Sequence, residues 1–217
     1  GSEMCIRDRS KLSSNGVAGF ILANGALSAD GTEGEIRRKM IERGLVEAIV
    51  ILPRNLFYST DISVTLWILN ANKKARIVHR NGEEIHYRDR EKEILFIDMR
   101  QMGEPFEKKY VRFTDEDICK VADAYHNWQR EGHTETYTDI PEFCKSVSVG
   151  EDGGIADKGF SLVPSKYIEF VNRDESVDYD IRMKELQLEL ADILRQEAKS
   201  RESVLNVFKS LGYEIEL

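Results

Sequence analysis

Short runs of almost entirely apolar residues mark the first half of the chain. Three of them are residues 17–23 (VAGFILA), 45–52 (LVEAIVIL) and 62–69 (ISVTLWIL), and Pro53 directly follows the second. Runs of this length are typical of strands that are covered on both faces of an α/β sheet. Because proline cannot donate a ladder hydrogen bond, Pro53 is expected to end its strand. Residues 94–98 (ILFID) predict a fourth strand, so the pattern as a whole predicts an α/β fold.

Two further segments carry the signals of amphipathic helices. Thr32 and Glu35 form the Thr-x-x-Glu pattern of a capping box, and Gly44 is placed to end the helix that follows. Thr114 predicts the start of a second helix that runs to about residue 130, with apolar residues at helical spacing.

The segments between these elements are polar. Residues 70–93 are heavily charged and contain an Asn-Gly turn signal, which predicts a hairpin or an exposed loop. Residues 131–160 predict a loop, in which GEDGG at 150–154 is expected to be a flexible tip rather than a phosphate-binding loop. Residues 160–167 (FSLVPSKY) are interpreted as a short extended docking segment.

A single long helix is predicted for residues 178–211, with Gly212 as its C-cap. It carries an apolar stripe that Glu197 and Arg201 interrupt, while its opposite side is charged. The stripe is formed by Leu186, Leu190, Ile193, Leu194, Val204, Leu205, Phe208 and Leu211. It is interpreted either as core packing of part of the helix or as a contact surface for helices of another chain.

Composition narrows the class of protein. The chain has 217 residues with a net charge of −8, and the negative charge argues against a stand-alone nucleic-acid-binding domain. No run approaches 18 consecutive apolar residues, so the sequence predicts no membrane span. Three well-separated cysteines (Cys5, Cys119, Cys144) are typical of reduced thiols in a cytoplasmic protein.

Two groups of polar residues are interpreted as structural. Asp115, Glu116 and Asp117 fall in the first turn of the predicted helix, where they favour the helix dipole instead of forming a catalytic cluster. The four histidines share no metal-ligand spacing, so no metal site is predicted.

The first eleven residues are set apart from the fold. Gly-Ser is typical of a cleaved expression tag, and the rest of GSEMCIRDRS has no periodicity and resembles translated sequencing-adapter strings. We therefore expect residues 1–11 to be a non-native leader and the gene model to begin at a broken edge.

Several segments together resemble the carboxyl-terminal region of the methyltransferase (M) subunits of type I restriction–modification systems, a family of adenine-specific DNA methyltransferases. They are GVAGFILANG through LWIL at 16–69, ILFIDMR at 94–100, FTDEDICKVADAYHNW at 113–128, DIPEFCKSVS at 139–148 and GFSLVPSKY at 159–167. The resemblance implies the last strands of an incomplete Rossmann-like sheet at residues 12–100, an α-rich connector at 101–175 and a partner-binding helix at 176–217.

The chemistry that the resemblance implies depends on motifs that lie earlier in such enzymes. S-adenosylmethionine requires a Gly-rich turn, and the target adenine requires an Asn/Asp-Pro-Pro-Tyr/Phe loop. The chain contains no Gly-x-Gly, and its four prolines are isolated. We therefore expect no cofactor binding and no methyl transfer by this chain alone, although the intact enzyme would methylate adenine N6.

Phe57 and Tyr58 are the residues of the methyltransferase site that the resemblance retains. Methyltransferases of this kind act on a flipped-out base, and an aromatic residue between the last strands can stack on it. Phe57 in LPRNLFYST occupies that place, with Tyr58 beside it. The alternative is that Phe57 only packs the turn.

Partners follow from the same resemblance. The specificity subunit is expected to dock on the carboxyl-terminal helix and to connect the chain to the restriction subunit and to DNA. A sheet that lacks its earlier strands is also expected to self-associate. The rival interpretation is a non-enzymatic assembly module, which needs only the apolar stripe.

Overall fold

A computed structural model describes residues 12–107, 109–150, 152–170 and 179–211. The predicted leader at residues 1–11 and the predicted C-cap Gly212 lie outside the described residues. The chain separates into two compact units, residues 1–170 and 171–217. Each unit is described by itself below.

The first unit is a mixed α/β structure with nine strands and two α-helices in its described residues. In chain order the elements are β1 (Val17–Ala23), α1 (Gly31–Glu42), β2 (Val46–Ile51), β3 (Val64–Asn70), β4 (Arg76–Arg80), β5 (Glu83–Tyr87), β6 (Glu93–Asp98), β7 (Glu104–Phe106), β8 (Tyr110–Arg112), α2 (Asp115–Gln129) and β9 (Cys144–Ser148). Two 3₁₀ helices, Asn24–Leu27 and Pro164–Lys166, complete it. The predicted strands at 45–52, 62–69 and 94–98 are confirmed as β2, β3 and β6, with small shifts at their ends.

Five strands form the main sheet in the order β1-β3-β2-β6-β9. Strand β3 lies between β1 and β2 and runs antiparallel to both, whereas β2 and β6 are parallel and β9 is antiparallel to β6. Strands β1, β2 and β6 therefore point in the same direction, and their carboxyl ends meet at one edge of the sheet. Side chains of β2 are buried at every position, as the apolar run predicts.

The expectation that β1 is covered on both faces is wrong. Exposure alternates along β1, and Val17 and Ile21 are exposed. The reason is its position, because β1 lies at the edge of the sheet with only β3 beside it. A run of apolar residues therefore does not distinguish an edge strand from a central one.

The beginning of α1 also differs from the prediction. Asp30 is the N-cap residue, no side chain caps the helix, and Thr32 lies inside the first turn. Gly31 has a φ of +64°, a conformation that glycine adopts without strain, and the helix begins there. The capping box predicted at Thr32 is therefore wrong, although the helix ends next to Gly44 as expected.

The capping predicted for α2 is confirmed. Thr114 Oγ1 accepts a hydrogen bond from the Asp117 amide, and the Asp117 carboxylate accepts one from the Thr114 amide. These bonds lower the pKa of Asp117. The acidic residues at 115–117 thus stabilise the amino terminus of α2.

Apolar clusters cover both faces of the main sheet. One face packs against α1 and the chain around Ile155, Leu162 and Ile168, and the other packs against α2 through Trp128. The predicted docking segment at 160–167 belongs to the first cluster, since Leu162 is fully buried and its amide donates to the Leu27 carbonyl. The segment therefore docks within its own unit.

The charged segment 70–93 forms the predicted hairpin, β4–β5, but two of its charged residues, Lys73 and Arg90, are buried. Arg90 is fully buried and pairs with Glu47 of β2, whose Oε1 lies 3.1 Å from Arg90 Nη2. The Glu47 carboxylate also accepts hydrogen bonds from the side chains of Asn70, Tyr125 and Gln129. This buried network ties β2, β3 and α2 together at the edge opposite the carboxyl ends of β1, β2 and β6.

The second unit contains one helix in its described part, α3 (Tyr179–Ser210, 32 residues). This element confirms the long helix predicted for residues 178–211. Among the helices that the described residues form, none combines the length and the apolar character that crossing a bilayer requires.

Candidate functional site

A cleft of the first unit lies where the carboxyl ends of β1, β2 and β6 meet. Its volume is about 730 Å³, and Asn24, Pro53 and Arg100 lie on it just after the ends of these three strands. The crevice outside the carboxyl ends of the strands is where open α/β sheets bind ligands. The topology therefore makes this cleft the candidate functional site.

Polar groups line the inner part of the cleft. The Thr65 hydroxyl donates a 2.6 Å hydrogen bond to Asn24 Oδ1, so Asn24 keeps its two amide hydrogens as donors. The Ser63 hydroxyl donates to the Leu52 carbonyl and so joins the two ends of the segment between β2 and β3. Main-chain and side-chain bonds thus fix this wall of the cleft before any ligand arrives.

Cationic side chains surround the cleft although the whole chain is acidic. In the described part of the chain, Arg54, Arg100 and Lys109 line it, against one lining carboxylate, Glu107. The guanidinium of Arg100 is held by both carboxylate oxygens of Asp98 at 2.6–3.0 Å, and these bonds raise its pKa. Asp98 balances the charge of Arg100, so Arg54 and Lys109 against Glu107 leave a small positive excess among the described lining residues, which favours an anionic ligand.

The hairpin β7–β8 forms the outer wall of the cleft. The Val111 amide donates to the Asn55 carbonyl at 3.0 Å, which joins the hairpin to the turn after β2. Gly103 precedes β7 with a φ of +93°, and a Cβ there would lie 2.6 Å from Val111 Cγ1. Only glycine fits this approach, so the chain entering β7 packs closely against β8.

The two aromatic residues predicted to meet the flipped adenine point to different surroundings. Phe57 is half-buried and packs against the cluster on the α2 side of the sheet, and its carbonyl accepts from the Thr60 amide. Tyr58 is 70% exposed and meets Tyr110 of the hairpin edge-on, with ring centroids 4.6 Å apart. Tyr110 lines the cleft, so Tyr58 is connected to it through one aromatic contact.

The predicted partner-binding stripe of α3 is solvent-exposed. Seven of its eight apolar residues are exposed by 38–65%, and Leu205 is half-buried. Glu197 and Arg201, which interrupt the stripe, form an ion pair with Nε and Oε1 3.7 Å apart.

A metal site is not formed by the parts of the chain that the structure describes. No group of three or more histidine, cysteine, aspartate or glutamate residues lies close enough there to hold a metal ion. His126 and His133 approach one another with ring centroids 5.3 Å apart, and burial lowers the pKa of His126.

Comparison with known proteins defines the family. The model of the N-6 DNA methylase family matches residues 7–176. The chain belongs to the N-6 DNA methylase family.

The relatives narrow the class further. The chain is 36% identical over 205 residues to the methylase subunit of the type I restriction enzyme HindI from Haemophilus influenzae, covering 94% of this chain and 42% of the relative. It is 32% identical over 199 residues to the methylase subunit of the type I restriction enzyme MjaIX from Methanocaldococcus jannaschii, covering 92% of this chain and 33% of the relative. The chain thus spans well under half the length of these two relatives.

A solved structure agrees with this assignment. The crystal structure of a type I restriction–modification methyltransferase subunit from Streptococcus thermophilus matches 77% of this chain and 30% of its own, with a TM-score of 0.61 and 25% identity.

Proposed function

We propose that this chain is the carboxyl-terminal part of the modification subunit of a type I restriction–modification system. The intact subunit would transfer a methyl group from S-adenosylmethionine to adenine N6 in DNA. The observation that carries the proposal is the family match over residues 7–176, together with a cationic cleft at the carboxyl ends of three like-directed strands. The sheet would then be the last part of a Rossmann-like methyltransferase sheet.

The lining of the cleft supports the proposal that S-adenosylmethionine binds outside this chain. Ribose hydroxyls are normally held by a carboxylate, but both oxygens of Asp98 are bonded to Arg100, and among the described residues Glu107 alone lines the cleft with a carboxylate. We infer that the chemistry of methyl transfer would depend on segments of the relatives that this chain does not span, and that this chain would supply the target side.

The target side would act by binding DNA and stacking the flipped adenine. Arg54, Arg100 and Lys109 suit phosphate oxygens, because phosphate contacts position a protein on DNA. Phe57 would stack on the adenine with Tyr58 beside it. The ring of Phe57 is half-buried, so it could stack on a base only with the face that stays accessible. Tyr58 is exposed and is available to a base without rearrangement.

The experiment compares single alanine variants in a full-length subunit that carries this chain as its carboxyl-terminal part. Phe57→Ala is expected to weaken binding to DNA with an extrahelical target base by roughly 1–3 kcal/mol, with S-adenosylmethionine affinity unchanged. Tyr58→Ala in the same assay separates the two aromatic residues. If methylation rate and DNA binding are unchanged in Phe57→Ala, its role is to pack the turn.

The carboxyl-terminal helix would dock on the specificity subunit and, through it, on the restriction subunit. Its exposed apolar stripe supports this role, since long stripes of this kind bind other helices. The double variant Leu190→Asp with Phe208→Asp is expected to abolish co-purification with a specificity subunit. Circular dichroism of the variant should show that the first unit remains folded. Leu188→Asp is the matched control, because Leu188 is 73% exposed and lies on the other side of the helix.

A second candidate function is a non-enzymatic assembly module. The same stripe supports it, and it would need neither the cleft cations nor the aromatic residues. Full activity of cleft variants with loss of assembly only in stripe variants would favour this alternative.

A further inference from the structure

The central part of the apolar stripe of α3 is symmetric about its midpoint, so that it reads alike in both directions along the helix. Leu190 and Phe208 lie about five helical turns apart and thus on the same line along the helix. Glu197 and Arg201 lie on the same stripe between them and are separated by about one turn. Lys199 marks the midpoint of both pairs.

Between Leu190 and Phe208, the stripe positions at equal distance before and after Lys199 carry matching chemistry, whereas Leu211 falls opposite Gln187. Leu190 corresponds to Phe208, the pair Ile193 and Leu194 corresponds to Leu205 and Val204, and the acid Glu197 corresponds to the base Arg201. Reversal of the helix direction therefore places apolar residues opposite apolar residues and a carboxylate opposite a guanidinium.

We infer that a second copy of this chain binds to the α3 stripe in antiparallel orientation. The layer of Ile193 and Leu194 meets the layer of Val204 and Leu205 of the second copy, and Leu190 meets its Phe208. Glu197 of each copy faces Arg201 of the other, so two reciprocal ion pairs form at the centre of the dimer.

Charge decides between the two orientations. In a parallel pair in register, Glu197 would face Glu197 and Arg201 would face Arg201, and like charges in the contact surface oppose pairing. The antiparallel pair turns the same four side chains into complementary contacts. The two polar residues that interrupt the stripe thus specify both the partner and its direction.

The exposure of the stripe is consistent with a binding surface of this length. Leu190, Ile193, Leu194 and Val204 are each more than half exposed, and Glu197 and Arg201 are each 60% exposed. All of them are accessible to a second helix.

This inference goes beyond the proposed function, which gives the stripe to a specificity subunit in the intact complex. The antiparallel dimer is the state of the chain alone, where that subunit is absent. The two claims are tested by different measurements, because one concerns the oligomeric state of the purified chain and the other its capture by a specificity subunit.

Sedimentation equilibrium of the complete chain tests the inference. The wild type is expected to be a dimer, and Glu197→Arg or Arg201→Glu alone is expected to weaken dimerisation about tenfold or more, because each creates two like-charge contacts. The double variant Glu197→Arg with Arg201→Glu restores both pairs and is expected to dimerise like the wild type. A one-to-one mixture of the two single variants should also restore dimers.

Glu202→Arg is the matched control, since it makes the same change of charge away from the stripe and should leave dimerisation unchanged. Circular dichroism of each variant reports helix content, so loss of α3 is distinguished from loss of pairing. A monomeric wild type, or a dimer that is insensitive to both single variants, would overturn the inference. A monomer that is nevertheless captured by a specificity subunit would leave the proposed function standing.

Discussion

Four side chains of the first unit, those of Asn70, Arg90, Tyr125 and Gln129, contact Glu47. Its carboxylate is completely buried and faces the Arg90 guanidinium together with three further hydrogen-bond donors. A buried charge is tolerated when it is paired and hydrogen-bonded, so removal of one partner leaves the other uncompensated.

Glu47→Ala is therefore expected to lower the free energy of unfolding by roughly 3–5 kcal/mol. Glu42→Ala is the control, because Glu42 also pairs with an arginine, Arg38, but both side chains are about half exposed. The control should cost about 0.5 kcal/mol or less. Urea denaturation measures both, and similar losses for the two variants would contradict a special role of the buried pair.

Lys73 gives stability a dependence on pH. Its ammonium is buried and donates hydrogen bonds to the Val46 and Glu93 carbonyls, and burial lowers its pKa to about 8. Since an unfolded lysine titrates near pH 10.4, the unfolded state holds more protons than the folded state between about pH 8 and 10.4. The contribution of Lys73 to stability therefore rises with pH across this window.

Lys73→Met is expected to remove that rise, so the difference in unfolding free energy between wild type and variant should change in favour of the wild type from pH 8 to pH 10. Urea titrations at several pH values measure it. Lys74→Met is the matched control, because Lys74 is 69% exposed. If both variants follow the wild type in parallel, Lys73 titrates normally in the folded protein.

For single residues, the sequence predicts local interactions such as helix capping better than it predicts which side chains are buried. The residues at 115–117 are correctly interpreted from the sequence, because a capping box depends only on neighbours. Lys73 and Arg90 lie in a charged stretch that the sequence predicts to be exposed. Only their bonds to distant segments, β2 and β6 for Lys73 and β2 and α2 for Arg90, take them into the interior.

The elements of the first unit provide a direct test of capping. Thr114 bonds the first turn of α2, whereas Thr32 lies within α1 and caps nothing. Thr114→Ala is expected to lower the free energy of unfolding by about 1 kcal/mol. Thr32→Ala should be neutral or slightly stabilising, because alanine has the higher helix propensity. An equal loss in both variants would mean that the threonine at Thr32 also acts as a cap.

The two edge strands explain where the prediction of elements fails. Strand β9 (CKSVS) has few apolar residues and lies in a stretch predicted to be a loop, yet it pairs with β6 along five residues. Strand β1 is found at the predicted residues but at an edge. Strand order depends on contacts between distant segments, and no local pattern contains it.

For the whole molecule, the first unit has its own core and should fold without α3. A chain that ends at Phe170 is expected to keep the urea midpoint of the complete protein and to lose only the helical signal of 32 residues. A chain that ends at Gly150 is the control. It lacks Ile155 and Leu162, which are fully buried, and it should be unfolded or strongly destabilised. Unfolding of the longer chain would contradict the independence of the first unit.

The candidate site, too, could not be predicted from local patterns in the sequence. Four residues of the cleft, Asn24, Arg54, Arg100 and Lys109, lie in separate connections between strands, and each is unremarkable in its local sequence. They share a cleft only because β1, β2 and β6 end at one edge of the sheet. The family resemblance identifies the protein class from the sequence, but the cleft follows from topology.

The place of β3 between β1 and β2 also has a consequence for the order of folding. Strands β2 and β3 are joined by a short connection, whereas β1 must wait for β3 and pairs with it across 41 to 53 residues of chain, from Ala23 with Val64 to Val17 with Asn70. Closing a longer loop costs more chain entropy, so β2 and β3 should associate first and β1 should join late. Amide protons of β1 are then expected to exchange with solvent through partial opening that leaves the rest of the sheet intact.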